Sequence, residues 1–242
     1  IPEKYLLKST NNKLVEIVNC TYPAFSDHYD DVFYLKDKAI LAPIRDVVQE
    51  INDYMISLTN ADSRDYFSSD SVCNASFDSD RPENIYTSEF LNGINISGLA
   101  AHKISLRVGV PVMSLRNADQ SIGLCNGTRM IFTHLGDHFI GAKILIDCHS
   151  GYCAFIPRLK MTQSDVRWPF KLQIWKYLLI VCYSMTINKS QGKSFSSVGL
   201  FLHRPVFSHR ELYVAISRVT SPNGLKTIVT DSHNIAADCT HN

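Results

Sequence analysis

Residues 185–221 read MTINKSQGKSFSSVGLFLHRPVFSHRELYVAISRVTS, and both ends of this stretch carry chemistry. Residues 186–192 collect Thr186, Asn188, Lys189, Gln191 and Gly192 into one short polar turn behind the apolar run 178–181, which reads as a buried strand. Hydroxyl, amide and ammonium donors beside a glycine at a strand end suit a phosphate. Residues 211–218 place Leu212, Ala215 and Ile216 at helical spacing and end on Arg218, with Ser217 before it and Thr220 close behind. The stretch predicts a strand, a donor-rich turn and a helix that delivers one arginine.

Upstream, Ala39, Ile40, Leu41 and Ala42 form a short apolar strand and Pro43 marks its exit. Asp46 is the expected N-cap of a helix with apolar positions at Val47, Ile51, Tyr54 and Met55. Residues 58–81, rich in Ser, Asp and Asn, read as exposed loop with a short strand within 66–72. From 104 to 160 the texture changes to β segments at 106–115, 129–135, 139–148 and 152–159, with Gly-Asp and Ser-Gly turns between the later ones. Closely spaced strands with short turns predict a small barrel. From 171 strand and helix return, with strands at 198–202 and 226–229. Residues 1–38, where the apolar segment 14–18 sits among Asn-Asn, Tyr-Pro and Asp-Asp, read as a connecting segment with a small helix.

Composition bounds the classes. At 45% apolar and 19% charged, 242 residues are enough for one large or two small domains with real cores, which excludes disorder as the default. A net charge of +1 gives no global basic field, so nucleic-acid binding has to come from local patches. Seven cysteines occur without a C-x-x-C pair, and Cys148 and Cys153 beside His149 fall short of a zinc ligand set, so scattered reduced thiols and no metal site are expected. The run 177–183 is far below the roughly 20 residues that span a bilayer, and the polar start is not a signal peptide, so the chain reads as soluble, with no membrane partner. N-x-[ST] sequons at Asn19, Asn74, Asn95, Asn126 and Asn188 would matter only in a secreted protein. A first residue of Ile1 rather than Met reads as a piece of a longer product.

Two tempting motifs fail on their own chemistry. Gly192-Lys193-Ser194 ends like a phosphate loop, but that loop needs a glycine five residues before Gly192, where Ile187 stands. Asp147 ends an apolar run in the manner of a magnesium-holding aspartate, but Cys148 follows where a glutamate is needed, and a barrel strand end explains the run better. Phosphate loop, magnesium ligands and water-orienting base are therefore not identifiable in this chain.

TINKSQG at 186–192 and YVAISR at 213–218 resemble the fifth and sixth motifs of superfamily-one DNA helicases, specifically the Pif-one-like family and its helitron-transposon relatives. AILAP at 39–43 with VQEIN at 48–52 resembles the fourth motif, and VGVPVM at 108–113 with GLCNGTR at 123–129 is similar to the connecting barrel. The likeness covers roughly residues 39–230 in consistent order. It implies an α/β fold, a RecA-like second motor domain with an inserted Src-homology-type β-barrel. The matching division is 1–38 as lead-in from an absent first motor domain, 39–103 and 171–233 as motor domain, 104–170 as barrel and 234–242 as tail.

By the same resemblance Arg218 is a catalytic arginine finger, and Gln191, Gly192 and Arg218 face nucleotide. Thr186, Asn188 and Lys189 contact single-stranded DNA, as do Arg116, Asn117, Asn126, Thr128 and Arg129 of the barrel, although a solvated barrel rim accounts for those five nearly as well. Arg45 is placed to face the cleft or, equally, to be an ordinary surface arginine. The implied function is the carboxyl-terminal half of a nuclear, ATP-dependent helicase moving five-prime to three-prime, with ATP and Mg2+ as cofactors of the complete enzyme and with single-stranded DNA and the missing amino-terminal motor domain as partners. The chain departs from the pattern at Arg210-Glu211, where Gly-Gln is usual, at Lys193 and at Asn188. The alternative is a non-catalytic nucleic-acid- or partner-binding remnant of a transposon-derived helicase.

Overall fold

The computed structural model describes residues 2–7, 12–59, 61, 63–72, 86–94, 102–145, 150–164, 171–203 and 209–230. In chain order the elements are α1 (Lys13–Thr21), α2 (Phe25–His28), α3 (Val32–Lys36), β1 (Lys38–Ala42), α4 (Arg45–Ser57), β2 (Ser63–Phe67), β3 (Ser69–Val72), α5 (Ser88–Asn92), β4 (Lys103–Arg107), β5 (Pro111–Ser114), β6 (Arg129–Leu135), β7 (Phe139–Ile144), β8 (Cys153–Pro157), β9 (Leu159–Ser164), β10 (Lys171–Lys176), β11 (Leu179–Val181), β12 (Ser184–Thr186), β13 (Ser197–Leu202), α6 (His209–Ile216) and β14 (Leu225–Val229). The chain divides into two compact units, one of residues 1–60, 109–111 and 181–242, the other of 61–108 and 112–180. The second unit is wider than the 104–170 expected for a barrel, because β2, β3 and β10 lie within it. Asp147, Cys148, His149, the sequons at Asn74 and Asn95 and the tail 234–242 lie outside the described residues.

The first unit is built on a parallel four-stranded sheet in the order β12-β1-β13-β14. Its strands are short and almost wholly buried, as parallel strands are: Ala39, Ile40, Leu41 and Ala42 are closed to solvent, and so are residues 198–202. Residues 1–38 are part of this unit. Helix α1 packs on β13 and β14, so closely that a Cβ on Gly199 would collide with Thr21 Oγ1. Asn12 caps α1, its Oδ1 accepting from the Leu14 and Val15 amides. Tyr22 ties the helix end to the sheet, its hydroxyl donating to Tyr183 O at 2.9 Å.

Two local expectations change here. Helix α4 starts at Arg45, with Ile44 in the N-cap position and no side-chain cap, so Asp46 lies in the first turn, where its carboxylate complements the helix dipole. Extended Ile44 behind Pro43 starts the helix at once and leaves no room for a later cap. The strand that feeds the polar turn is β12, not 178–181. Residues 179–181 instead form β11, which lies beside β5, and β12 begins only at Ser184 after a bend at Tyr183.

The second unit contains a five-stranded sheet, β11-β5-β6-β7-β8, a three-stranded sheet, β3-β10-β9, and the two-stranded sheet β2-β4. The expected strand 106–115 is two strands, β4 and β5, broken where Gly109 takes φ +85°, a conformation open to glycine. The expected loop 58–81 holds β2, which pairs antiparallel with β4, and β3, which pairs antiparallel with β10. Strands β6 and β7 pair antiparallel with a bulge between Phe132 and His134. One core cluster, Leu91, Leu115, Leu172, Ile174 and Leu178, joins α5 to β10 and to the start of β11.

Candidate functional site

Ligands of open α/β sheets collect outside the carboxyl ends of the strands, where loops leave a scaffold that is otherwise buried. Here β1 and β12 end side by side: Ala42 pairs with Thr186, and from that level Pro43 leads to Arg45 while Ile187 opens a single 310 turn, Ile187–Ser190. The turn is held from inside. Ser190 is fully buried and its hydroxyl donates to Ile187 O at 2.7 Å, which leaves Asn188 and Lys189 exposed on the outer side. Gln191 and Gly192 follow, both exposed, with Gly192 at φ +75° and no atom within 4 Å of the position a Cβ would take.

Asn52 of α4 sets the height of this turn. Its buried side chain accepts from Ser184 N at 2.8 Å and donates to Ser184 O at 3.1 Å and Val181 O at 3.2 Å, so one amide fixes the backbone that enters β12. No role was read for Asn52 in the sequence. An asparagine on the apolar stripe of a helix, at 52 between Ile51 and Met55, is the signal that could have found it, since a buried amide needs partners.

Lys189 and Arg45 come together electrostatically. The Lys189 ammonium is held below the ordinary lysine range, first by desolvation and then by the Arg45 guanidinium, with Cys182 acting the other way. Two cations that raise each other's energy at the ends of neighbouring parallel strands favour an anion between or beside them. Arg45, exposed at the start of α4 just beyond the end of β1, is thus within electrostatic reach of this turn.

Arg218 is delivered by α6, whose contacts include the 310 turn. Its Nε donates to Val214 O at 3.0 Å, Nη1 to Lys193 O at 3.2 Å and Nη2 to Ser217 Oγ at 2.9 Å. Its backbone is tied to the same loop, since Phe195 N donates to Arg218 O at 2.8 Å and Thr220 N to Phe195 O at 2.9 Å. A guanidinium has five N–H donors, so each terminal nitrogen keeps one for another acceptor. The structure therefore brings Thr186, Asn188, Lys189, Gln191, Gly192, Arg45 and Arg218 to one edge of one unit. Among the described residues no group of three or more His, Cys, Asp or Glu is placed to hold a metal ion.

The five candidates of the second unit do not behave as one set. Arg116, Asn117 and Asn126 are exposed, and Asn117 Oδ1 accepts from Asn126 N at 2.7 Å, closing the loop between β5 and β6. Thr128 is buried, its hydroxyl donating to Gly123 O at 2.8 Å and accepting from Cys125 N at 3.1 Å. Arg129 is 0% exposed. These two correct the sequence reading: Thr128 staples the turn and Arg129 starts an interior strand, so neither side chain reaches a strand of DNA lying on the surface. A polar letter in a turn-to-strand junction does not reveal on which side of the sheet it falls.

Comparison with known proteins finds Pif1 helicases both in sequence and in fold. Residues 89–135 match the family model of the DNA helicase Pif1 2B domain. The ATP-dependent DNA helicase PIF1 of Danio rerio is 30% identical over 147 residues, 56% of this chain and 21% of the relative. Pif1 helicase from Candida albicans superposes with a TM-score of 0.59 at 21% identity, over 93% of this chain and 55% of that one. Pif1 helicase from Bacteroides in complex with ADP-AlF3 and ssDNA gives a TM-score of 0.56 at 21% identity, over 91% and 50%. At these identities the structural likeness is one of α/β fold, and the chain spans about a fifth of the length of the curated relative and about half of the solved chains.

Proposed function

We propose that this chain, related in sequence and in fold to the Pif1 helicases, is the second motor half of an ATP-dependent DNA helicase: a RecA-like domain carrying an inserted Src-homology-type barrel. Arg218 acts as the arginine finger, Gln191 and Gly192 line the nucleotide, and Thr186, Asn188 and Lys189 hold single-stranded DNA through its phosphates. The observation that carries this reading is the bond from Arg218 to Lys193 O, which couples the arginine to the loop that bears Gln191 and Gly192. A rearrangement of that loop by DNA moves the arginine, and the reverse.

The donor set fits phosphate: two cations at Arg45 and Lys189, spare N–H groups on Arg218 and an uncrowded glycine backbone at Gly192. It does not fit Mg2+, which takes oxygen ligands, so the ion belongs with the amino-terminal motor domain that bears the phosphate loop. Bound nucleotide supplies the transferable phosphoryl group. This chain's residues orient it and offset its charge.

A second reading, a binding remnant without turnover, is favoured by Glu211 at the start of α6, a carboxylate where a neutral amide would suit a triphosphate. Fusion of the chain to a matching phosphate-loop domain separates the two. Phosphate release stimulated by single-stranded DNA supports the motor, whereas DNA binding with turnover at background, unchanged by reversion of Arg210-Glu211 to Gly-Gln, leaves the remnant.

A further inference from the structure

The sheet β3-β10-β9 has two unlike faces. Along β10, Leu172, Ile174 and Lys176 are buried, and the first two belong to the core cluster. The alternate residues turn outward. The register aligns Trp175 with Lys160 of β9 and Ser69 of β3, then Gln173 with Thr162 and Ser71, and Lys171 is exposed further along β10. Trp175 is 48% exposed. Arg158, just before β9, holds its guanidinium 5.5 Å from the Trp175 ring centroid and 5.3 Å from that of Tyr177, while Nη1 donates to Phe67 O at 3.1 Å.

Among the described residues, the charged side chains of this face are the cations Arg158, Lys160 and Lys171. Asp70 of β3 points to the buried side, where it accepts from Ser68 Oγ and lies 4.0 Å from the Lys176 ammonium. Lys160 and Lys171 form no ion pair among the described residues. A flat face with one anchored indole, flanking cations and short hydroxyl and amide donors matches the chemistry of a single strand, whose bases stack on aromatic rings while its phosphates meet cations. A lone indole among Ser, Thr and Gln offers too little apolar area to enter a lipid surface.

We propose that the outward face of β3-β10-β9 is a stacking platform for single-stranded nucleic acid, with Trp175 under a base and Lys160, Lys171 and Arg158 against neighbouring phosphates. This rests on the reading of the chain as a single-strand-binding motor half, and adds to its phosphate contacts a base contact that reads no sequence.

The test is fluorescence anisotropy of the full chain with labelled oligodeoxythymidylate of about 15 nucleotides, an abasic strand of equal length and phosphatidylserine vesicles. Trp175→Ala is expected to weaken binding to the oligonucleotide about 5- to 100-fold, and Trp175→Phe to restore most of it. The abasic strand should bind the parent more weakly and Trp175→Ala no differently. Lys160→Ala with Lys171→Ala should flatten the slope of log affinity against log salt by about 1.4. If Trp175→Ala binds as the parent does while Lys189→Ala is weakened, the platform is overturned and the phosphate reading stands; the reverse pattern keeps the platform and removes that reading. Vesicle binding that depends on Trp175 while oligonucleotide binding does not also overturns the proposal, as does a parent that binds no single strand.

Discussion

In the parallel sheet of the first unit, the candidate side chains are confined to strand ends; in the antiparallel β3-β10-β9 sheet of the second, the proposed contacts spread over a wet face. The strands β1 and β13 are buried almost end to end, so Thr186, Lys189, Arg45 and Arg218 gather where the chain leaves the sheet. Strand β10 alternates, burying Leu172 and Ile174 and exposing Trp175, so a row of side chains can meet a ligand in the middle of the sheet. The first arrangement ties each group to neighbouring backbone, as Arg218 is tied to Lys193 O, and suits a residue that must respond to a loop. The second offers a flat, repeating surface suited to a polymer.

The largest expected effect tests the strand-end site. In a fusion with a matching phosphate-loop domain, Arg218→Ala should lower DNA-stimulated turnover by about three to five orders of magnitude, roughly 4 to 7 kcal/mol, with little change in nucleotide affinity. Arg218→Lys should recover little, because an ammonium cannot reproduce the planar fork. Steady-state phosphate release measures both, and a fusion carrying Arg218→Ala that matches its parent would remove the special standing of this arginine.

Close packing should separate the units next. Gly199→Ala in buried β13 drives a methyl into Thr21 Oγ1 and Ile17 and should cost about 3 kcal/mol. Gly141→Ala in β7 meets His134 Cβ at 3.2 Å and Thr133 Oγ1 at 3.3 Å, a tight fit that a shift of the strand by a few tenths of an ångström relieves, and should cost about 1 kcal/mol. Midpoints of urea unfolding compare the two, and equal shifts would deny the contrast.

Titration sharpens it further. Burial pushes the Lys176 ammonium below the ordinary 10.5, with Asp70 pulling the other way. Between the folded value and 10.5 the unfolded chain binds more protons at this residue, so its contribution to stability rises with pH across that window. Lys176→Gln should remove this residue's part of the rise as pH approaches 10.5 from below. Lys38 and Lys189 of the first unit are lowered as well, so the quantity to read is parent minus variant. Tyr34, pushed up to about 12 by burial, acts with opposite sign above its unfolded value of 10.0, which closes the usable range there. A difference that is flat with pH would show Lys176 to be solvated.

The smallest effect is local. Asn12→Ala removes the acceptor for the Leu14 and Val15 amides and should cost about 1 kcal/mol by thermal or urea unfolding. A loss as large as that of Gly199→Ala would mean that docking of α1, rather than its cap, depends on Asn12.

The sequence by itself determined the alternation of textures, the strands at 39–42, 129–135 and 198–202, the helix that runs up to the turn bearing Arg218 and the polar turn at 186–192, because each is written in the residue pattern of a few neighbours. Ordered likeness to helicase motifs added a proposed role for that turn and that arginine. Only the tertiary structure decided which strand feeds the turn, since 178–181 is the apolar run and Ser184-Met185-Thr186 is not, yet it is the latter that pairs with β1 while 179–181 pairs with β5. It also decided that Asn52 braces β12 and that Arg129 and Thr128 are buried while Trp175 is half exposed. Burial of a polar or aromatic side chain depends on partners more than a hundred residues away in sequence, as Asn52 and Ser184 are, and no local pattern records them.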